Sequence, residues 1–184
     1  MGRLVFLVCL VMAVQWCQAQ QDGSDWARRS DTGSSEVVTN LHFYFHDTVS
    51  GNNPSAVRVA GTSTTSNSPT LFGALLMVDD PLTVGPDRIS RLVGNARGLY
   101  GSASHTDMGL IMVINYGFTD GIYNGSSFSI LSINPPMQPV REMSIVGGTG
   151  LFRLARGYAL ARTYWFDASG DAIVEYNVTI TTYI

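Results

Sequence analysis

Residues 41–51 read LHFYFHDTVSG, and this short run decides how the rest of the chain is parsed. Leu41, Phe43 and Phe45 alternate with His42, Tyr44 and His46, the period of a strand with two unlike faces. Asp47 then falls on the Leu41/Phe43/Phe45 face. Burying a charge is costly unless it is paired or put to use, so the position needs a reason. Two are open from the residues alone: Asp47 is an inward acid of an enclosed site, or it caps a turn through HDTVSG.

Outward from this run the same texture repeats. SAVRVAG, LFGALLMVDD, GLIMVINYGFT, SSFSILSIN, REMSIVGG, ARGYALARTYWF and DAIVEYNVTITTY are separated by SGNNP, DDPLTVGPD, DGIYNG, NPPMQP, GGTG and DASGD. The separators carry tight-turn chemistry, and β-branched and aromatic residues fill the runs. None keeps a helical period. Eight or nine short strands at near-regular spacing predict an all-β chain, either an antiparallel sandwich or a closed barrel. A barrel of about eight strands has room inside for one small ligand. The low-complexity patch GTSTTSNSPT, Gly61 to Thr70, reads as a loop.

At the N-terminus, Arg3, an apolar run over residues 4–14 and the small-residue ending Cys17-Gln18-Ala19 predict a secretory signal peptide spanning residues 1–19. That run is too short to span a bilayer. Residues 20–36 are polar and aperiodic and are expected to form a flexible arm, leaving 37–184 as the folded domain. Cys9 and Cys17 both lie in the leader, so the processed chain would have no disulfide. All 11 basic residues are arginine, set against 14 acids for a formal charge of −3. That balance argues against nucleic acid or an anionic membrane as a partner. Asn124-Gly125-Ser126 and Asn177-Val178-Thr179 fit the N-glycosylation pattern. Asn124 is expected in an exposed turn, whereas Asn177 lies in a strand-like run and would stay bare if buried.

No metal-ligand spacing is present. His42 and His46, four residues apart on a strand, stand roughly 13 Å apart and read as outward-facing polar edges. GGTG, Gly147 to Gly150, lacks the ending of a phosphate loop and reads as a tight turn. What remains are polar residues inside apolar runs: Asp47, Arg58, Tyr100, Arg141, Thr163 and Tyr164. A carboxyl in an apolar cavity has its pKa raised by desolvation and lowered by a neighbouring guanidinium, which suits proton exchange with phenolic substrates. The plainer alternative makes Arg141 the surface partner of Glu142 or another surface acid.

LHFYFHDTVSGNNPSAVRVA, LFGALLMVDDPLT, ARGLYGSAS and REMSIVGGTGLFRLARGYA resemble, in order, successive blocks of the plant dirigent family. The resemblance covers about Asn40 to Tyr183. It implies an eight-stranded antiparallel β-barrel assembled as a homo-oligomer, trimer or dimer, secreted to the apoplast and needing no cofactor. It also implies phenolic ligands, with Asp47, Tyr100, Arg141 and Thr163 in the pocket and Asp47 either paired with Arg141 or exchanging protons with a quinone methide. Phe45 and Asn134 complete the expected substrate-binding set. Asn134 stands where the lignan-forming pattern has a second aspartate; an amide can hydrogen-bond a phenol but cannot take its proton. The NNPSAVRVA and VDDPLTVGP blocks look more like the larger branch that includes pterocarpan-synthase-like members, which close an isoflavanol to a pterocarpan through a quinone methide.

Three functions therefore stand as expectations. One is stereo-direction of coupling between monolignol radicals such as those of coniferyl alcohol, supplied by a separate oxidase such as a laccase, to optically active lignans. Another is a cofactor-free dehydratase and cyclase with Asp47 as general acid, Arg141 tuning it, and Tyr100 or Asn134 steadying the developing quinone methide oxygen. The last is a cell-wall scaffold in lignin deposition or defence.

Overall fold

The computed structural model describes residues 26–31 and 35–183. The expected signal peptide therefore lies outside the described residues. Among the described residues ten antiparallel strands form one sheet: β1 (Ala27–Asp31), β2 (Glu36–Asp47), β3 (Ala56–Ala60), β4 (Leu75–Thr83), β5 (Leu92–Ser102), β6 (Leu110–Phe118), β7 (Ser127–Asn134), β8 (Arg141–Thr149), β9 (Arg156–Phe166) and β10 (Ala172–Tyr183). Residues 41–47 form the C-terminal half of β2, and residues 48–51 begin the loop after it.

Eight of these strands close on themselves in the order β2-β10-β9-β8-β7-β6-β5-β4. The seam is short, pairing Tyr44 with Thr83 and Phe45 with Leu82. On either side of it β2 and β4 each lend their free edge to another strand, β1 to Val37–Leu41 and β3 to Leu75–Val78. Between β3 and the seam sits Pro81. The Asp79 N–H points toward that side, to the Ser55 carbonyl at 2.9 Å, so two residues on the missing N–H of Pro81 faces the gap where no ladder bond is due. For the same reason the run DDPLTVGPD, expected to be a separator, contributes Asp79–Thr83 to β4.

The polar segment before residue 37, expected to be a flexible arm, supplies β1 and the preceding Trp26 instead. Trp26 is 2% exposed, stacks 5.1 Å from Phe118 and donates its indole N–H to Asp120 at 2.9 Å. One aromatic anchor thus ties down a stretch whose composition alone reads as unstructured. The Gly61–Thr70 loop contains a single helical turn, Ser63–Ser66.

Alternation holds along β2: Val37, Thr39, Leu41, Phe43 and Phe45 are buried inside, and Asp47 ends that series. The interior is graded from end to end. Trp26, Phe118, Tyr123, Phe128 and Phe152 plug one end with rings 5.1–6.5 Å apart. Phe43, Phe45, Tyr116 and Tyr176 fill the middle. At the other end, where β7 finishes and β8 begins, the inward residues turn polar. Coiling the strands this tightly needs residues without a side chain: at Gly98 and Gly157, φ +152° and +150°, a Cβ would lie 2.2 and 2.0 Å from a carbonyl of the next strand.

Candidate functional site

The polar end of the barrel is the less tightly filled one, and its inward positions combine a few polar groups with half-buried apolar walls from Leu76, Leu110 and Val174. Asp47 stands there half-buried. Its Oδ2 accepts the Tyr100 hydroxyl at 2.8 Å, while its Oδ1 is buried without a partner. Burial pushes its pKa up to about 6; the Tyr100 hydrogen bond pulls the other way and Asp171 adds to the rise. Asp47 is therefore an inward acid and not a turn cap. The loop after it is pinned by Asp171, whose Oδ1 accepts the N–H groups of Val49 and Ser50 at 2.9 and 3.0 Å.

Arg141, the first residue of β8, points inward and is 3% exposed. It donates from Nε to Asn134 Oδ1 at 3.1 Å and from Nη1 to Thr163 Oγ1 at 2.9 Å and the Gln138 carbonyl at 3.5 Å. All three acceptors are neutral. The expected pairing of Arg141 with Asp47 is absent, and so is a surface bond to Glu142: among the described residues Arg141 makes no ion pair. Asp47 is held by Tyr100 across the β4–β5 side of the barrel, while Arg141 belongs to the β7–β9 side. Burial lowers the Arg141 pKa, with Tyr176 opposing.

The structure thus brings Asp47, Tyr100, Asn134, Thr163 and Arg141 to one mouth, with Phe45 in the layer beneath, 6.4 Å from the Tyr116 ring. Thr163 is the exposed member, at the rim. Tyr164 is not in the site: β9 bulges opposite Ile173/Val174, and Tyr164 lies outside against Tyr44, 5.7 Å away. Arg58 is exposed on β3 and bonds back to the Ala60 carbonyl.

His46 was expected to face outward as a polar edge. It does lie on the outer face, but it is 1% exposed. Thr83 Oγ1 spends its proton on the Gly85 carbonyl, so it accepts from His46 Nε2–H, 2.6 Å away. Burial and Arg88 lower the His46 pKa to about 4, against an opposing effect of Asp87. His42 matches the expectation better, half-exposed and 3.0 Å from Glu175. Asn124 is exposed after a one-turn 3-10 helix. Asn177 is exposed as well, on the outer face of β10, so burial gives no reason for it to stay bare. A cleft of about 180 Å³ lined by Asn95, Arg97, Gly117 and Ser127 involves outward positions near the plugged end and is separate from this site.

One acid escaped sequence reading. Asp80 on β4 is 0% exposed and shares the inner face with Val78 and Leu82. It accepts the Ser55 hydroxyl on Oδ1, and its Oδ2 is buried with no partner. Burial, then the Asp47 charge, raise its pKa to about 8, against the Ser55 hydrogen bond. The available signal was alternation: in LLMVDDPLT one of two adjacent aspartates has to fall on the Val78/Leu82 face.

These shifts make stability depend on pH. Asp47 and Asp80 bind protons more tightly folded than unfolded, so each favours folding fully below about pH 3.8, an advantage lost as pH rises through about 6 and about 8. His46 has the opposite sign, favouring folding above its ordinary 6.5 and losing that as pH falls through about 4. Asp47 and His46 offset each other below pH 6, which leaves Asp80 to act alone above it. Tm is expected to fall between pH 6 and 8, and thermal melts of Asp80→Asn should show no such fall.

The ensemble places an acid and a guanidinium on different walls of one barrel end, each hydrogen-bonded only to neutral partners. A family model described as "Dirigent-like protein" matches residues 38–181, and the chain belongs to that family. Among its relatives, "Dirigent protein 23" of Arabidopsis thaliana is 54% identical over 175 residues, covering 95% of this chain and 94% of the relative. "Pterocarpan synthase 1" of Glycine max is 53% identical over 150 residues, 80% of this chain and 81% of the relative. The solved structure of the pterocarpan synthase dirigent protein GePTS1 is similar at TM-score 0.75 and 53% identity, covering 82% of this chain and 91% of that one.

Proposed function

We propose that the barrel mouth takes a phenol bearing a benzylic hydroxyl, expels water from it and closes a ring on the quinone methide, as a cofactor-free lyase. The observation that carries this reading is Asp47, a carboxyl held protonated toward pH 6 with a free Oδ1 at an apolar mouth. Asp47 gives its proton to the benzylic oxygen; the C–O bond breaks and water leaves with the electron pair. The phenol loses its proton to solvent and its oxygen becomes the quinone methide oxygen. Arg141 Nη2, which makes no hydrogen bond among the described residues, faces that oxygen and stabilises its developing charge. A second hydroxyl of the substrate then attacks the benzylic carbon and returns its proton to Asp47, while the quinone methide oxygen regains one from water. The balance is one water lost and no oxidant used. The names of the Glycine max relative and of the GePTS1 structure support an isoflavanol as the substrate.

Stereo-direction of monolignol radical coupling is the second reading, supported by two polar poles, Asp47–Tyr100 and Arg141–Asn134–Thr163, on different walls of one mouth. Incubation with an isoflavanol and no oxidant separates the two. Ring closure is expected; an enantiomeric excess appearing only with coniferyl alcohol and laccase would replace the lyase by the radical reading.

Secretion to the apoplast, glycans on the exposed Asn124 and Asn177, and self-association belong to the same proposal. Supporting the last, Val57, Met77, Leu99, Val113 and Leu131 pair in one straight row across the outside of β3–β7, and all but Leu99 are more than 40% exposed. Sedimentation should give an oligomer, and Val113→Glu should shift it toward monomer.

A further inference from the structure

The departure at Asn134 leaves the site short of an acid on the β7 side, but β4 supplies another. The seam pairs Phe45 with Leu82, and one inward step further along both strands brings Asp47 and Asp80 to facing positions. Their backbones part there because Ser55 is wedged between them, accepting the Thr48 N–H at 3.0 Å while its hydroxyl reaches Asp80. Each acid keeps one buried oxygen with no partner, Oδ1 of Asp47 and Oδ2 of Asp80. Buried polar atoms are almost always hydrogen-bonded, so two orphaned carboxyl oxygens on acids at facing positions, near enough for the charge of one to act on the other, mark a place built for a polar ligand atom. Among the described residues the groups around the pair are mostly acids and phenols: Asp171 acts on Asp47, Asp79 on Asp80, and Tyr100, Tyr116 and Tyr176 of β5, β6 and β10 all feel Asp80, whereas Arg141, the cation of the mouth, bonds to Asn134 and Thr163 and makes no ion pair with either acid.

We propose that Asp80 is the second acid of the site, a neutral carboxyl that donates from Oδ2 to the substrate's departing hydroxyl while Asp47 protonates it. The inference rests on the lyase reading. Two acids then share the work: Asp47 transfers its proton and recovers one at ring closure, whereas Asp80 keeps its own and lends a hydrogen bond that strengthens as the C–O bond breaks. A carboxyl can do this only while protonated. Deep burial beside a second carboxyl is what holds it so.

Asp80→Leu tests the assignment, because it keeps the branched shape and removes the orphaned oxygen. It should raise Tm at pH 8, where the buried acid costs most, and lower kcat on an isoflavanol at least about 100-fold with KM within about threefold. Asp80→Asn, whose Nδ2–H still donates, should retain activity within about tenfold of wild type and lose any decline of rate above pH 8. A merely structural Asp80 would give the reverse pattern, with Tm lowered and both variants equally active per folded molecule. Unchanged kcat in a folded Asp80→Leu protein overturns the proposal. Carbon-13 aspartate titration of the ligand-free protein reads Asp80 separately from turnover: it should stay protonated through pH 7, and ionisation below pH 6 would also overturn it. Wild type that fails to turn over any benzylic alcohol while Asp80 titrates as expected would sink the lyase reading instead.

Discussion

Asp47→Asn is expected to reduce turnover at least about 100-fold while leaving the barrel folded, because it removes the proton and keeps the shape. The amide oxygen can still accept the Tyr100 hydroxyl, now at 2.8 Å, so the local geometry has no reason to collapse. Melting behaviour should improve slightly above pH 6, since a carboxyl whose pKa is raised to about 6 costs stability once it ionises and an amide does not. In the wild type the rate should fall as pH rises through about 6, where the general acid is lost. Full activity in a folded Asp47→Asn protein would mean that proton transfer occurs elsewhere.

Arg141→Met should separate function from stability in the same direction. The guanidinium is 3% exposed and bonds only to neutral oxygens of Asn134, Thr163 and Gln138, so its desolvation is not offset by a carboxylate. Replacing a buried unpaired cation with a flexible apolar chain of similar length is expected to leave Tm unchanged or raise it, by an amount on the order of 1 kcal/mol. Loss of the charge opposite the quinone methide oxygen should cost about 100-fold or more in kcat, in line with removing one preorganised donor. Arg141→Lys should recover little, because a single ammonium cannot hold Asn134 and Thr163 while also reaching the substrate. A marked drop in Tm with normal kcat per folded molecule would show that Arg141 is architectural.

Much of this was legible in the sequence, and the misses have identifiable causes. The period of two in LHFYFHD placed Asp47 on the inner face, and the alternation rule applied equally to LLMVDDPLT would have placed Asp80 there. The proline in that run concealed the strand, since only the fold shows that its missing N–H falls in a gap between two partners. Polar composition hid β1, because one tryptophan seated among Phe118 and Tyr123 outweighs a dozen polar neighbours. His46 looked solvated because alternation distinguishes inside from outside a barrel but says nothing about a loop folded over the outside.

By itself, then, the order of residues determined the strands, their alternation and the supply of acids, a guanidinium and phenols in an otherwise apolar chain. These are local properties, set by a two-residue period and by turn chemistry within a few positions. Partnership was decided only by the tertiary structure. Asp47 meets Tyr100, 53 residues away, and faces Asp80, while Arg141 goes to Asn134 and Thr163. Which groups meet depends on how far each strand slides past its neighbour as the barrel closes, and that stagger is summed around eight strands. Burial is cooperative in the same way: a carboxyl acquires its shifted pKa from every wall that excludes water around it, and those walls come from opposite ends of the chain.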